Sequence, residues 1–332
     1  RSGTTWSQQA KLTASDAQAG DYFGISSNID GDTVVVGAYS EDSGGSWAGA
    51  AYIYTRSGTT WSEQAKLTAS DAQAGDYFGV HVAISGNTVV VGAWGEDTGG
   101  SQSGAAYVFT RSGTTWSQQA KLTASDAQAD DNLGYWVCID GDTVVVGAHN
   151  EDAGGTDAGA AYVFTRSGTT WTQQQKLASS DIAAGDYFGR CSAISGDTVV
   201  VGAYGDDHNY SSAGAAYVFT RSGTTWTQQA KLTASDPEAS DYFGFRTAID
   251  GDTVLVGAYS EDTGGSNAGA AYIFTRSGTT WTQDKKIVAS DGGASDNFGY
   301  GLGIDEDTLV VSAPYEDSTA NNAGAAYVFI AG

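Results

Sequence analysis

Carboxylates are the side chains whose number and spacing in this sequence most invite chemistry. Asp16 recurs as Asp71, Asp126, Asp181, Asp236 and Asp291, and Asp21 as Asp76, Asp131, Asp186, Asp241 and Asp296. The pair Glu41-Asp42 recurs in all six copies, with Asp206 replacing Glu in the fourth. Four positions in six copies make 24 of the 39 acidic residues. Two carboxylates ~4 Å apart repel by about 1 kcal/mol in water and by ~4 kcal/mol at an effective dielectric near 20. Such groups must therefore be spaced, solvated or shared by cations. Three readings compete: Asp side chains bonding turn amides, a divalent ion, or acidity suited to a saline medium. The ion reading makes calcium the candidate cofactor, with Asp16, Asp21, Glu41, Asp42, Asp71, Asp76, Glu96 and Asp97 as candidate ligands.

Catalysis finds less support. His81, His149 and His208 fall at three different positions of the repeat, and no GxSxG nucleophile motif is present. The carboxylates repeat sixfold, as structural features do, whereas an active site needs one asymmetric cluster. The protein is expected not to be an enzyme. Cys138 and Cys191 form no CxxC pair, so thiol redox chemistry and zinc are poor readings. The simpler reading is two small buried residues, with a disulfide between neighbouring repeats as the alternative.

The elements that position these groups follow from a repeat. RSGTTW starts at Arg1, Arg56, Arg111, Arg166, Arg221 and Arg276, so six units of 55 residues make 330 of the 332. This periodicity defines one array, expected as a single domain over 1–332. One unit reads as four strands. Ile25–Ile29 is the first, closed by the tight turn Asp30-Gly31-Asp32. Thr33–Ala38 is a continuous apolar run suited to a strand buried on both faces. Ala50–Tyr54 is the third, and Thr60–Leu67 is a polar-alternating edge strand. The fold class is therefore all-β, a six-bladed β-propeller of four-stranded antiparallel blades. The register runs one strand out of phase, so Thr4–Leu12 is expected to complete the last blade and close the ring. The absence of Met and the start inside a unit are expected of a mature or excised fragment.

Where the copies disagree, function is sought. The Trp opening each fourth strand (Trp6, Trp61, Trp116, Trp171, Trp226, Trp281) is invariant and reads as packing between blades. Divergence follows Phe-Gly, at Ile25-Ser26, Val80-His81, Tyr135-Trp136, Arg190-Cys191, Phe245-Arg246 and Tyr300-Gly301. It recurs after Gly-Ala, at Tyr39, Trp94, His149, Tyr204, Tyr259 and Pro314, and in the acidic loop, at Trp47, Gln102, Asp157, Ser212, Asn267 and Asn322. Aromatic planes beside fixed polar groups suit sugars or peptides. The candidate binding residues are Trp47, His81, Trp94, Tyr135, Trp136, His149, Arg190, Phe245, Arg246 and Tyr300. Against this stands tolerated drift at positions with few neighbours.

Phe23-Gly24 with Gly37-Ala38-Tyr39, repeated through Phe298-Gly299 with Ser312-Ala313-Pro314, resembles the FG-GAP repeat. The resemblance covers the whole chain and is similar to the propeller heads of integrin α chains and, more so, to bacterial surface proteins. It implies a propeller used for adhesion or ligand binding. Blades of the integrin type often carry a calcium loop between their first two strands. Here that hairpin offers too few oxygens for the 6–8 ligands of calcium, so that site is not carried over.

The net charge of −24 repels nucleic acid and anionic lipid, and no apolar run approaches the ~20 residues of a membrane helix. The expected protein is a secreted or cell-surface binding or adhesion module, monomeric within a larger surface protein, that recognises a glycan or a protein segment. The alternative is a structural or spacer propeller, cation-stabilised, without a ligand site.

Overall fold

The computed structural model describes residues 7–317 and 320–330. Its strands fall into one group per repeat. The first repeat gives β1 (Ser27–Asp30), β2 (Thr33–Ala38), β3 (Ala50–Ser57) and β4 (Thr60–Leu67), and the second β5 (Val82–Ser85), β6 (Thr88–Ala93), β7 (Ala105–Ser112) and β8 (Thr115–Leu122). The third gives β9 (Trp136–Asp140), β10 (Thr143–Ala148), β11 (Ala160–Ser167) and β12 (Thr170–Leu177), and the fourth β13 (Cys191–Ser195), β14 (Thr198–Ala203), β15 (Ala215–Ser222) and β16 (Thr225–Leu232). The fifth gives β17 (Arg246–Asp250), β18 (Thr253–Ala258), β19 (Ala270–Ser277) and β20 (Thr280–Ile287), and the sixth β21 (Gly301–Asp305), β22 (Thr308–Ala313) and β23 (Ala325–Ile330). Each group is one sheet with its strands in chain order, and the all-β reading holds. Among the described residues, no helix is long and apolar enough to cross a membrane.

The chain divides into two compact units, residues 1–142 with 166–171 and residues 143–165 with 172–332. Within the first unit, β5 packs beside β1 and β9 beside β5; within the second, β17 lies beside β13 and β21 beside β17. First strands therefore crowd together while fourth strands touch less, which is how propeller blades pack. Between them lie apolar layers. Val35, Ala51 and Ile53 of one sheet meet Val82, Ile84, Val89 and Val91 of the next, all buried.

Local sequence explains each element. Asp30 pairs with Thr33 across Gly31 and Asp32, and Gly31 takes the positive φ of 55° that a two-residue hairpin requires. Between β3 and β4 the register slips, with Ile53 opposite Ala65 and Tyr54 opposite Glu63. Gln64 is the extra residue of this bulge, which re-aims its side chain. Its Oε1 accepts a 2.8 Å bond from Trp116 Nε1 of the next repeat. Gln119 receives Trp171 and Gln229 receives Trp281 at the same distance. The invariant Trp thus joins neighbouring sheets through both its ring and its N–H, while Trp6 lies outside the described residues.

The strand expected at Thr4–Leu12 to close the ring begins outside the described residues. Of its remainder, residues 7–12 form no strand, and among the described residues the last sheet has three strands, β21-β22-β23. The N-terminal segment lies against the first sheet, as the fourth strand of one repeat lies against the sheet of the next. Gln9 accepts a 2.7 Å bond from Trp61 Nε1, and Ser15 N donates to Glu63 at 2.9 Å. Gln9 thus repeats the role of Gln64, held by a side chain without a strand partner. The first strand is likewise shorter than expected, Ser27–Asp30 in place of Ile25–Ile29. Ile25 lies in a turn, its N–H bonded to Tyr22 O.

Candidate functional site

The FG-GAP pattern has a steric origin. A Cβ on Gly37 would stand 2.0 Å from the carbonyl oxygen of Gly79, and one on Gly49 would stand 2.0 Å from that of Phe78. The Phe-Gly segment of the second to sixth repeats (Leu-Gly in the third) therefore lies backbone to backbone on the Gly-Ala strand of the repeat before it. Phe78 N also donates to Ala48 O of the repeat before at 3.0 Å, while Gly79 N bonds Gly92 O of its own repeat at 2.9 Å. This contact brings the loop entering one sheet against the acidic loop of its predecessor. Tyr77 N bonds Trp47 O at 3.0 Å and Gly75 N bonds Ser46 O at 2.9 Å. The two acidic loop types thus share one end of the sheets, as alternation predicts.

At that end the acids have identifiable partners. Asp21 Oδ2 accepts from Gln18 N and Asp76 Oδ2 from Gln73 N, each at 2.7 Å. Asp42 Oδ1 accepts from Trp47 N at 2.8 Å and Asp97 Oδ1 from Gln102 N at 2.7 Å. Lys66 Nζ stands 2.6 Å from Asp16 and 3.0 Å from Glu41, while Lys121 stands 2.7 Å from both Asp71 and Glu96. The Tyr107 hydroxyl completes that group by donating to Asp71 at 2.9 Å, and Thr98 Oγ bonds Glu96. Burial works against the Lys121 ammonium, but its bonds to Asp71 and Glu96 hold its pKa above the ordinary lysine value. Burial raises Asp71, and the bonds from Lys121 and Tyr107 outweigh it to leave the carboxyl below its usual range. A lysine ammonium thus stands between Asp16 and Glu41 and between Asp71 and Glu96, the carboxylates that would share an ion. Among the described residues, no three His, Cys, Asp or Glu side chains converge as a metal group. Neither Cys138 nor Cys191 forms a disulfide, and the buried Cys191 thiol donates to Gly244 O at 3.2 Å.

The variable positions form two aromatic groups, one in each unit. In the first unit, Tyr77 stacks on Trp94 with centroids 4.4 Å apart and planes 4° apart. Trp47 stacks on the same ring at 5.8 Å, Tyr39 leans on it at 6.1 Å, and Tyr22 stacks on Tyr39 at 5.3 Å. Trp47 is 52% and Tyr22 62% exposed. Trp47, Tyr22 and Tyr77 hold φ of 59°, 53° and 55°, a left-handed conformation that bulky residues rarely adopt. His81 and Trp136 form a separate contact with centroids 3.6 Å apart, and Tyr135 precedes β9, its N–H bonded to Asn132 O.

In the second unit, Tyr187 stacks on Tyr204 at 5.1 Å and Tyr242 on Tyr259 at 5.4 Å. Phe245 lies edge-on to Tyr259 at 4.5 Å and meets Tyr300 at 5.1 Å. The guanidinium carbons of Arg190 and Arg246 stand 5.2 and 4.4 Å from the Phe245 centroid. His149 sits beside Arg190. Burial first, and the Arg190 charge second, push its pKa down to about 3, so its imidazole is neutral at ordinary pH. The structure thus brings Trp47 with Trp94, His81 with Trp136, and Arg190 with Phe245, Arg246 and Tyr300. Tyr22, Tyr77, Tyr187 and Tyr242 escape the sequence reading. Their near-constancy before Phe-Gly looks like scaffold, and only their positive φ turns the rings onto the variable residues.

A repeated antiparallel scaffold with variable aromatic residues at one end defines a binding or structural module. The FG-GAP repeat profile matches residues 6–54, 61–109, 116–164, 171–219, 226–274 and 281–329. The chain belongs to the FG-GAP repeat family, whose propellers are generally non-enzymatic and typically occur in extracellular proteins. No curated protein matches it.

Proposed function

We propose that the protein is an extracellular, non-enzymatic binding module that takes a glycan on the aromatic shelf of its first unit. The observation that supports this most is the run Tyr22–Tyr39–Tyr77–Trp94 with Trp47 at its flank. Tyr22, Tyr77 and Trp47 hold a left-handed backbone set by their loops, since the same φ recurs at the equivalent positions of the other repeats, and here it carries aromatic rings. Flat, partly exposed rings present π-faces to the C–H faces of sugars, and their stacking holds them ready without ordering on binding. The carboxylates nearby serve the fold through lysine and turn amides, so this reading needs no calcium.

The test is a glycan array followed by calorimetry on the best oligosaccharide, with and without Trp94→Ala. Loss of at least tenfold in affinity supports the shelf. Silence across the array, or binding indifferent to Trp94→Ala, sinks it and leaves a structural spacer.

A further inference from the structure

We infer that the first unit binds a small zwitterion, a free polar amino acid, in a groove between its first two sheets, with Arg111 taking the carboxylate and Asp30 the ammonium. The groove lies at the hairpin end of the sheets, opposite the aromatic shelf, and does not depend on it. It is a cavity of about 460 Å³ whose lining includes Asp30, Asp32, Arg56, Gln64, Asn87 and Arg111, a volume that suits a small molecule. The fourth and fifth repeats form its twin, a cavity of about 510 Å³ lined by Ser195, Asp197, Arg221, Gln229 and Arg276 with their neighbours. Comparing the two separates what the scaffold requires from what the first groove adds.

Two residues set the first groove apart. Arg56, Arg166, Arg221 and Arg276 each hold the hairpin aspartate of their own sheet, at 2.5–2.6 Å. In the second repeat that aspartate is replaced by Asn87, so Nε and Nη2 of Arg111 meet an amide oxygen instead, at 2.9 and 2.7 Å. Its Nη1 donates to Thr33 Oγ1 at 3.0 Å, as that of Arg276 does to Thr198, and its guanidinium carbon stands 5.2 Å from the Trp116 centroid. Arg111 is thus fixed as its counterparts are, yet among the described residues it has no carboxylate partner. The second residue is Asp30. Its Oδ2 accepts the Gly86 N–H at 2.5 Å, a task that Ser195 Oγ performs for Gly251 N in the twin at 3.1 Å. The scaffold therefore needs an acceptor there and not a charge, and among the described residues Asp30 has no cationic partner. One groove thus presents a guanidinium and a carboxylate, both held in place and neither in an ion pair, while Arg56 and Asp32 beside them neutralise each other. A simple anion would be drawn by Arg111 and repelled by Asp30, and a simple cation the reverse. A molecule carrying both charges gains from both, and the planar fork, already positioned, suits a carboxylate. Thr55, Gln64 and Asn87 make the remaining wall polar, which favours a polar side chain.

An NMR titration of the intact chain with L-serine, its methyl ester and N-acetylserine tests this, read at the Gly86 amide with the Gly251 amide of the twin as internal control. Serine is expected to bind at least tenfold more tightly than either blocked form, and to shift Gly86 but not Gly251. Asn87→Asp and Asp30→Ser each install a residue that other repeats carry at the same position, so the fold tolerates them, and each should weaken serine at least tenfold. The reverse pair, Ser195→Asp with Asp252→Asn, should bring the Gly251 amide under the control of serine. No binding of serine, equal binding of a blocked form, or binding indifferent to both Asn87→Asp and Asp30→Ser overturns the inference. Because the blocked forms are compared on the unaltered protein, no variant is needed for the first answer. Trp94→Ala should leave serine binding unchanged, which separates this groove from the shelf.

Discussion

Gly92 faces the carbonyl of Gly134 so closely that a Cβ on it would stand 1.9 Å from the oxygen. The neighbour is backbone inside a hydrogen-bonded segment and cannot swing away. Gly92→Ser should therefore destabilise by about 3 kcal/mol. Its counterpart in the last repeat is already Ser312. Ser312→Gly should change stability by less than ~1 kcal/mol. Urea unfolding of the two variants checks both, and equal effects would refute the steric account of the repeat motif.

Lys121→Met should cost about 2–4 kcal/mol, because Glu96 is 3% exposed and would lose its cationic partner. The same reasoning predicts a melting temperature unmoved by calcium or by EDTA. A rise of several degrees with calcium would show an ion where the lysine is placed.

Asp186 gives a pH dependence of definite sign. Burial, with the Asp206 charge adding to it against a backbone bond from Ala183, raises its pKa from 3.8 to about 6. The folded state therefore binds a proton more tightly than the unfolded chain. This stabilisation is complete below pH ~4 and is lost as pH rises through ~6. At ~1.4 kcal/mol per unit the ceiling is about 3 kcal/mol, and solvent screening lowers the expectation to ~1 kcal/mol. Asp186→Asn should stabilise by that amount at pH 7.5 and by nothing at pH 4. Thermal melts at the two pH values suffice, and a gain at pH 4 alone would contradict the assignment.

Trp47→Gly should separate stability from binding. Glycine takes the φ of 59° without strain, and the indole is half exposed, so the variant should gain about 0.5–1 kcal/mol. It should also bind glycan more weakly, by several-fold. A variant both less stable and equally competent would argue that the indole is merely packing.

Much of this fold is legible in the sequence because periodicity is. The strands at Thr33–Ala38 and Thr60–Leu67 fall where the apolar run and the polar alternation put them. Residues 7–12 of the expected closing strand form no strand, since repeat register says which segment matches a fourth strand and not whether it pairs. Gln9 still bonds Trp61 of the first sheet, as Gln64 bonds Trp116 of the next repeat. The candidate site is legible in part. Variation marks Trp47, Trp94 and Arg246, but the partners that stack on them hide among repeated residues. Tyr77 matches Tyr22 in type, and nothing in either letter reveals a left-handed backbone. The lysine bridges are likewise invisible from spacing, as Lys121 lies 50 positions from Asp71 and 25 from Glu96.

The bond from residue 47 to Asp42 has a further consequence. In the successive repeats Trp47, Gln102, Asp157, Ser212 and Asn267 each donate their backbone N–H to the aspartate five residues earlier, at 2.6–2.8 Å. The carboxylate holds the loop, and the side chain it presents takes no part in holding it. Each of these five repeats therefore carries a socket into which almost any residue can be set, ready for randomisation by selection or by an engineer.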